Sequence, residues 1–200
     1  MKNEKIRAIL FDVDGVIVRA EQFSKQYQKK FGISNDEMLP FFKGAFQDCI
    51  VGKADLKEEL KLWLEKWRWT GTVEEFLQFW FKSENQVDER IIEEIKWFKR
   101  IGIKCYLATK QEKYRIKYMK KEMNFEDIFD GIFSSAELGV KKPNPEFFQK
   151  VLDRIGFEAE TVLFFDDEQD NIDGAESLGI KSLLYTDFEK FERDIKKFIN

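Results

Sequence analysis

A chain of 200 residues with 43% apolar content, 21 Phe and 5 Trp can bury one large domain, or a core carrying a smaller insertion. Its 34 Lys and Arg are interleaved with 38 Asp and Glu for a formal charge of -4, which excludes the basic footprint of a nucleic-acid or anionic-membrane binder and points to small partners. There is no histidine, and Cys49 and Cys105 stand alone. Histidine triads, histidine phosphoenzymes, the common zinc sites and a disulfide framework therefore fall away, and a reducing cytoplasm is expected.

In chain order, "IRAILF" (6–11) reads as a buried strand that runs into "FDVDGVIV", where Asp12 and Asp14 stand one residue apart at its end. The basic and then apolar start resembles a leader, but the two aspartates interrupt it and no targeting signal is expected. From about Arg19 to Glu84 apolar residues fall at helical spacing, as in Phe23, Tyr27 and Phe31, then Leu60, Trp63, Leu64 and Trp67, with no convincing strand. A helix is predicted over 88–100, and then strands and helices alternate. Strands are read at 103–109, 131–135, 161–165 and 180–185, with helices at 111–123, 144–155 and 169–178 between them.

The alternation defines an α/β fold: a Rossmann-like parallel-sheet core with helices on both faces. The helical stretch is a cap inserted after the first strand, so residues 1–18 and 85–200 form the core domain and 19–84 the cap domain. A cap rooted there sits over the carboxyl ends of the strands, where open α/β folds place ligands. Trp63, Trp67, Trp80 and Trp97, at helical spacing, read as core.

Four constellations fall at strand ends: "FDVDG", Thr109 in "LATK", "GVKKPNP" (139–145) and "FFDDEQDN" (164–171). Each alone has an ordinary reading, since Asp at a strand end often caps or turns and a Lys pair before Pro is usually a solvated loop. Together they supply a nucleophile, a hydroxyl, a cation and a second acidic pair.

With these motifs the sequence resembles the haloacid dehalogenase-like hydrolases over essentially its whole length, in the phosphatase branch with a helical cap. The resemblance implies that Asp12 is the nucleophile, Asp14 the general acid/base, and Thr109 and Lys142 the contacts to the phosphoryl group. It also implies Mg²⁺, held by Asp12, the Asp14 carbonyl and Asp167, with Asp166 in support and Asn171 holding the loop. The stretch "FKGAFQDCIVGKADLKEEL" (42–60) is similar to the cap of small sugar-phosphate phosphatases of the glucose-1-phosphate phosphatase type. That brings Phe42 and Phe46 to the substrate, with Phe41, Lys43 and Gln47 beside them. Lys110 departs from the Asn usual in that subgroup and is read as a contact to a second anionic group.

The chemistry also follows from the residues. A carboxylate attacks a phosphate monoester only where the ester's own charge is neutralised, and an oxygen-only donor set suits Mg²⁺. A carboxyl with an ordinary pKa near 3.9 is protonated about one part in a thousand at pH 7, so Asp14 needs surroundings that raise it. The function expected is a magnesium-dependent phosphatase acting on a small phosphate monoester, a sugar phosphate first, through an aspartyl phosphate on Asp12. Alternatives are a phosphoglycolate or nucleotide phosphatase of the same family or, from another class, a receiver-like phosphorylation switch or a binding protein without turnover. Monomer and homodimer both remain open.

Overall fold

The computed structural model describes residues 5–199. After strand β1 (Ala8–Phe11) come five helices, α1 (Phe23–Phe31), α2 (Asn35–Lys43), α3 (Ala45–Ile50), α4 (Leu56–Lys61) and α5 (Val73–Ser83). Then follow α6 (Glu89–Arg100), β2 (Lys104–Thr109), α7 (Lys113–Lys121), α8 (Phe125–Ile128), β3 (Gly131–Ser134) and α9 (Ser135–Leu138). The chain continues through α10 (Pro145–Ile155), β4 (Val162–Asp166), α11 (Gln169–Glu176), β5 (Lys181–Leu184) and α12 (Phe188–Ile195).

The strands pair in parallel in the order β3-β2-β1-β4-β5, with Phe11 of β1 level with Leu107 of β2 and Phe165 of β4. The carboxyl ends of β1, β2 and β4 therefore lie side by side. Successive β1 residues face opposite ways: Ile9 and Phe11 join the core built with α6 and α12, Ala8 and Leu10 the core built with α10 and α11. A strand buried on both faces is the physical meaning of the unbroken apolar run Ala8–Phe11.

The helices between Phe23 and Ser83 start where their caps dictate. Ser34 with Glu37 and Thr72 with Glu75 form reciprocal capping boxes at the starts of α2 and α5. Their aromatic interior, with Tyr27, Phe41, Trp67 and Phe76 fully buried, is continuous with the core on the Phe11 face of the sheet. The chain leaves and rejoins the sheet region through a narrow neck. There Arg19 N–H donates to the Gln86 carbonyl at 3.0 Å and Asp88 N–H to the Ile17 carbonyl at 2.8 Å.

Two expectations need correction. The helix read over 111–123 begins only at Lys113, because the Glu112 side chain accepts the N–H groups of Tyr114 and Arg115 as its cap. Trp97 is 39% exposed: the buried stripe of α6 runs through Ile91, Ile92, Ile95 and Phe98, and Trp97 points off it. No helix among the described residues is long and apolar enough to cross a membrane.

Candidate active site

Asp12 leaves the end of β1 with its N–H still bonded to the Phe165 carbonyl of β4 at 2.9 Å. Its Oδ1 lies 2.9 Å from Lys142 Nζ, which also reaches Asp166 Oδ2 at 2.6 Å; the lysine side chain is fully buried. The loop carrying Lys142 is pressed onto α11, where a Cβ on Gly174 would stand 2.2 Å from the Pro143 carbonyl oxygen. Only glycine accepts that approach.

Asp166 ends β4, and its Oδ1 accepts from Asn171 Nδ2 and from the Glu168 N–H, each at 2.9 Å. With Lys142 on its other oxygen, Asp166 is a buried anchor, whereas Asp167 beside it is exposed. Gly15 has a φ of +82°, and a Cβ there would fall 2.0 Å from Asp167 Oδ2, so the glycine of "DVDG" makes room for the second acidic pair. Asp12, Asp166 and Asp167 then offer carboxylate oxygens within 4.8 Å of one another. Hard oxygen donors with no sulfur or imidazole among them fit Mg²⁺.

Thr109 closes β2, buried and in register with Ser134 of β3. The Lys110 ammonium pairs with Glu168, whose carboxylate also accepts from Asn171 at 3.0 Å, so the loops after β2 and β4 are tied together.

Asp14 stands apart from the three-carboxylate cluster. It lines a cavity of about 260 Å³ whose wall includes Phe23, Leu39, Phe42, Phe46 and Trp80. The polar part of the wall is Gln22, Ser24, Asn35, Glu84, Lys110 and Gln111. The Gln111 amide donates to Asp14 Oδ2. Trp80 Nε1–H donates to Glu84 at 2.9 Å, and Glu84 also accepts the N–H of Phe23 at 2.8 Å, which holds the indole between the rings of Phe23, Phe42 and Phe46. The Ser24 hydroxyl is buried and finds no partner among the described residues. Phe42 and Phe46 thus both line the cavity. Phe41 is instead buried inside the helical segment, Lys43 is exposed, and Gln47 accepts a bond from Lys141 at 2.5 Å.

Burial is the first cause of three raised carboxyl pKa values. Asp12 is pushed up to about 6 by burial against the opposing pull of Lys142, with Asp166 and Asp14 adding to the rise. Burial lifts Asp14 to about 6 while Arg115 opposes it and Glu84 adds to it. Asp14 is exposed where it lines the cavity, and the protein atoms crowded around that recess are what desolvate its carboxyl. Asp167, exposed on its outer side but partly enclosed by the site, is likewise raised to about 6, by that partial desolvation first and then by its neighbours Asp12 and Asp166. For Lys142 burial pulls down, yet Asp12 and Asp166 together hold it above the ordinary lysine range.

Gln111, Arg115, Trp80 and Glu84 were not singled out by sequence as parts of the site. Gln111 carries a signal in hindsight, lying two residues beyond the strand-ending Thr109. Arg115 carries none: buried between the rings of Phe81 and Tyr118, it donates to the carbonyls of Phe81 at 2.7 Å and Glu84 at 2.8 Å, contacts that only the tertiary fold creates.

A parallel α/β sheet with acidic pairs at the carboxyl ends of adjacent strands, a buried lysine between them and a cavity beyond defines a hydrolase site of one general kind. The family model of the haloacid dehalogenase-like hydrolases matches residues 6–179, and the chain belongs to that family. A sesquiterpene phosphatase, astK of Aspergillus oryzae, is 35% identical over 101 residues, which are 50% of this chain and 51% of that protein. The chain thus spans about half the length of that relative. A phosphorylated carbohydrates phosphatase of Thermotoga maritima is 23% identical over 185 residues, covering 89% of this chain and 84% of its own. A HAD family enzyme of Bacteroides thetaiotaomicron, solved with magnesium and inorganic phosphate, superposes with a TM-score of 0.79 at 20% identity over 93% of this chain and 98% of that one.

Proposed function

We propose that this hydrolase is a magnesium-dependent phosphatase that cleaves a small phosphate monoester, a sugar phosphate, through an aspartyl phosphate on Asp12. The observation that carries this reading is the division of labour between two aspartates one residue apart. Asp12 is held by buried Lys142 beside a second acidic pair, while Asp14 faces a cavity large enough for a leaving group.

Lys142 and Thr109 hold the phosphoryl group against Asp12. The carboxylate of Asp12 attacks phosphorus, the bond from phosphorus to the ester oxygen breaks, and Asp14 gives that oxygen its proton. Asp14 then takes a proton from water as the water attacks the aspartyl phosphate, releasing inorganic phosphate and restoring both carboxyls. Mg²⁺, held by Asp12, the Asp14 carbonyl and Asp167 with Asp166 in support, would neutralise charge on the phosphoryl oxygens.

Residues 19–84 act as the cap and 1–18 with 85–200 as the core, a division supported by the paired neck at Arg19 and Gln86. The cavity wall supports a carbohydrate leaving group. The faces of Phe42, Phe46 and Trp80 suit the carbon-bound hydrogens of a sugar, and Gln22, Ser24 and Asn35 suit its hydroxyls. The Thermotoga relative is named for phosphorylated carbohydrates, which agrees with this. Both cysteines are buried free thiols, which supports a reducing compartment, the cytoplasm.

The test is phosphate release, with Mg²⁺ and with a chelator, from a panel of hexose phosphates, phosphoglycolate, nucleoside monophosphates, pyrophosphate and prenyl phosphates. Metal-dependent turnover that is highest for hexose phosphates supports the proposal. Preference for prenyl esters or pyrophosphate would replace the substrate class, and absence of turnover with every ester would return the chain to a switch or binding role.

A further inference from the structure

The two oxygens of the Asp14 carboxylate are not equivalent. Oδ2 accepts a hydrogen bond from the Gln111 side-chain amide. Gln111 is 9% exposed, and its place is fixed from both sides. Thr109 precedes it at the end of β2, and Glu112, the cap of α7, follows it. Its own carbonyl accepts from the Ala136 N–H at 3.3 Å and from the Ser135 hydroxyl at 3.4 Å, which ties it to the first turn of α9. A side chain on so constrained a backbone can hold its partner's orientation.

A carboxylate cannot donate, so the group it meets must be the amide N–H, which only donates. While the Gln111 amide keeps that orientation the oxygen facing it stays an acceptor, and when Asp14 carries a proton that proton belongs on Oδ1. We propose that Gln111 is a positioning residue for proton transfer: it fixes the plane of the Asp14 carboxyl and presents Oδ1 to the ester oxygen of the leaving group. This rests on the phosphatase reading and adds to it a residue that acts through Asp14 without touching phosphorus.

The consequence is specific to the leaving group. An alkoxide needs its proton in the transition state, while nitrophenolate leaves without one, so loss of aim at Asp14 slows only the first kind of ester severely. Two near-isosteric variants separate the hydrogen bond from side-chain volume. Gln111→Met removes the donor. Gln111→Glu replaces it with a second carboxyl that competes for the proton and draws it toward Oδ2.

The experiment is rapid-quench single-turnover phosphoryl transfer to the Mg²⁺-loaded enzyme, using a hexose phosphate, a simple alkyl phosphate and nitrophenyl phosphate. For the two alkyl esters Gln111→Met should lose about 30-fold and Gln111→Glu more, with a far smaller loss for nitrophenyl phosphate and little change in KM. Equal losses across the three esters in both variants would make Gln111 a structural residue and overturn the proposal, as would a Gln111→Glu variant as fast as the wild type. Wild-type protein inactive with every ester would instead sink the phosphatase reading, so the two failures are told apart.

Discussion

Replacing Asp12 by Asn should make the metal-free protein more stable while removing its activity. The amide keeps the volume and can still accept from Lys142, whose Nζ lies 2.9 Å from Oδ1. What disappears is one negative charge from a group whose carboxylate oxygens lie within 4.8 Å of one another. At an effective dielectric of about 20, each neighbouring carboxylate at that spacing repels Asp12 by roughly 3 kcal/mol, and Lys142 attracts it by roughly 6 kcal/mol. Two repulsions and one attraction nearly cancel, so burial decides the sign, in agreement with burial as the first cause of the lift to about 6. That lift from 3.8 corresponds to about 3 kcal/mol of cost for the ionised form. Because the folded-state pKa is the raised one, the stabilisation from protonated Asp12 is complete below its unfolded value and is lost as pH rises through about 6. Urea unfolding in chelator should therefore show near-equal stabilities close to pH 4 and an Asp12→Asn advantage of about 2–3 kcal/mol near pH 8. Adding Mg²⁺ should raise the wild type more than the variant. A metal-free variant no more stable than the wild type near pH 8 would refute the reasoning, because it would mean that Lys142 outweighs burial and both neighbours.

The same cluster predicts that Lys142→Met, which leaves Asp12 and Asp166 buried without their cation, costs about 3–5 kcal/mol in urea unfolding near neutral pH and removes turnover; a loss under 1 kcal/mol would contradict it. In Gly15→Ala the new Cβ meets Asp167 Oδ2 at 2.0 Å, so Mg²⁺ affinity by titration calorimetry should fall by about tenfold or more while circular dichroism stays unchanged. Glu112, buried at the start of α7, is raised to about 7 by burial, against the N–H groups of Tyr114 and Arg115. Its protonated form stabilises the fold fully below its unfolded value, and that contribution is lost as pH rises through about 7. An amide in its place does not titrate, so Glu112→Gln should match the wild type near pH 4 and exceed it by up to roughly 3 kcal/mol near pH 8, read by urea unfolding.

The sheet was legible because its signal is local. The strand stretches "AILF" (8–11) and "VLFF" (162–165) are apolar throughout since both faces are covered, and the acidic pairs come directly after them. The contacts among Asp12, Lys142, Asp166 and Asn171 are legible in outline: Asp12 follows β1 and Asp166 ends β4, parallel register brings those ends together, and Lys142 and Asn171 lie in the segments that come after β3 and β4. The start of α7 was misread because Glu112 fits a helix by composition, yet its side chain serves as the cap, and that leaves Gln111 outside the helix and free to meet Asp14. The cavity wall was half legible. Phe42 and Phe46 stood out, but Trp80 shares the helical spacing of the buried tryptophans and differs from Trp67 only in being turned to the cavity, an orientation that the tertiary packing around Glu84 decides. Trp97 carried the same pattern and points to solvent.

The central claim is that Asp12 attacks phosphorus, and the most direct measurement is to trap the phosphoenzyme. Mg²⁺-loaded protein mixed with its best ester is quenched in acid within the first turnover, reduced with borohydride, digested and mapped by mass spectrometry. Reduction of an aspartyl phosphate converts that one aspartate to homoserine. The account predicts the conversion at position 12, at a level that rises with turnover and is absent from Asp12→Asn. Rapid phosphate release with no conversion at position 12 in the wild type, or with conversion at another carboxylate, would contradict it.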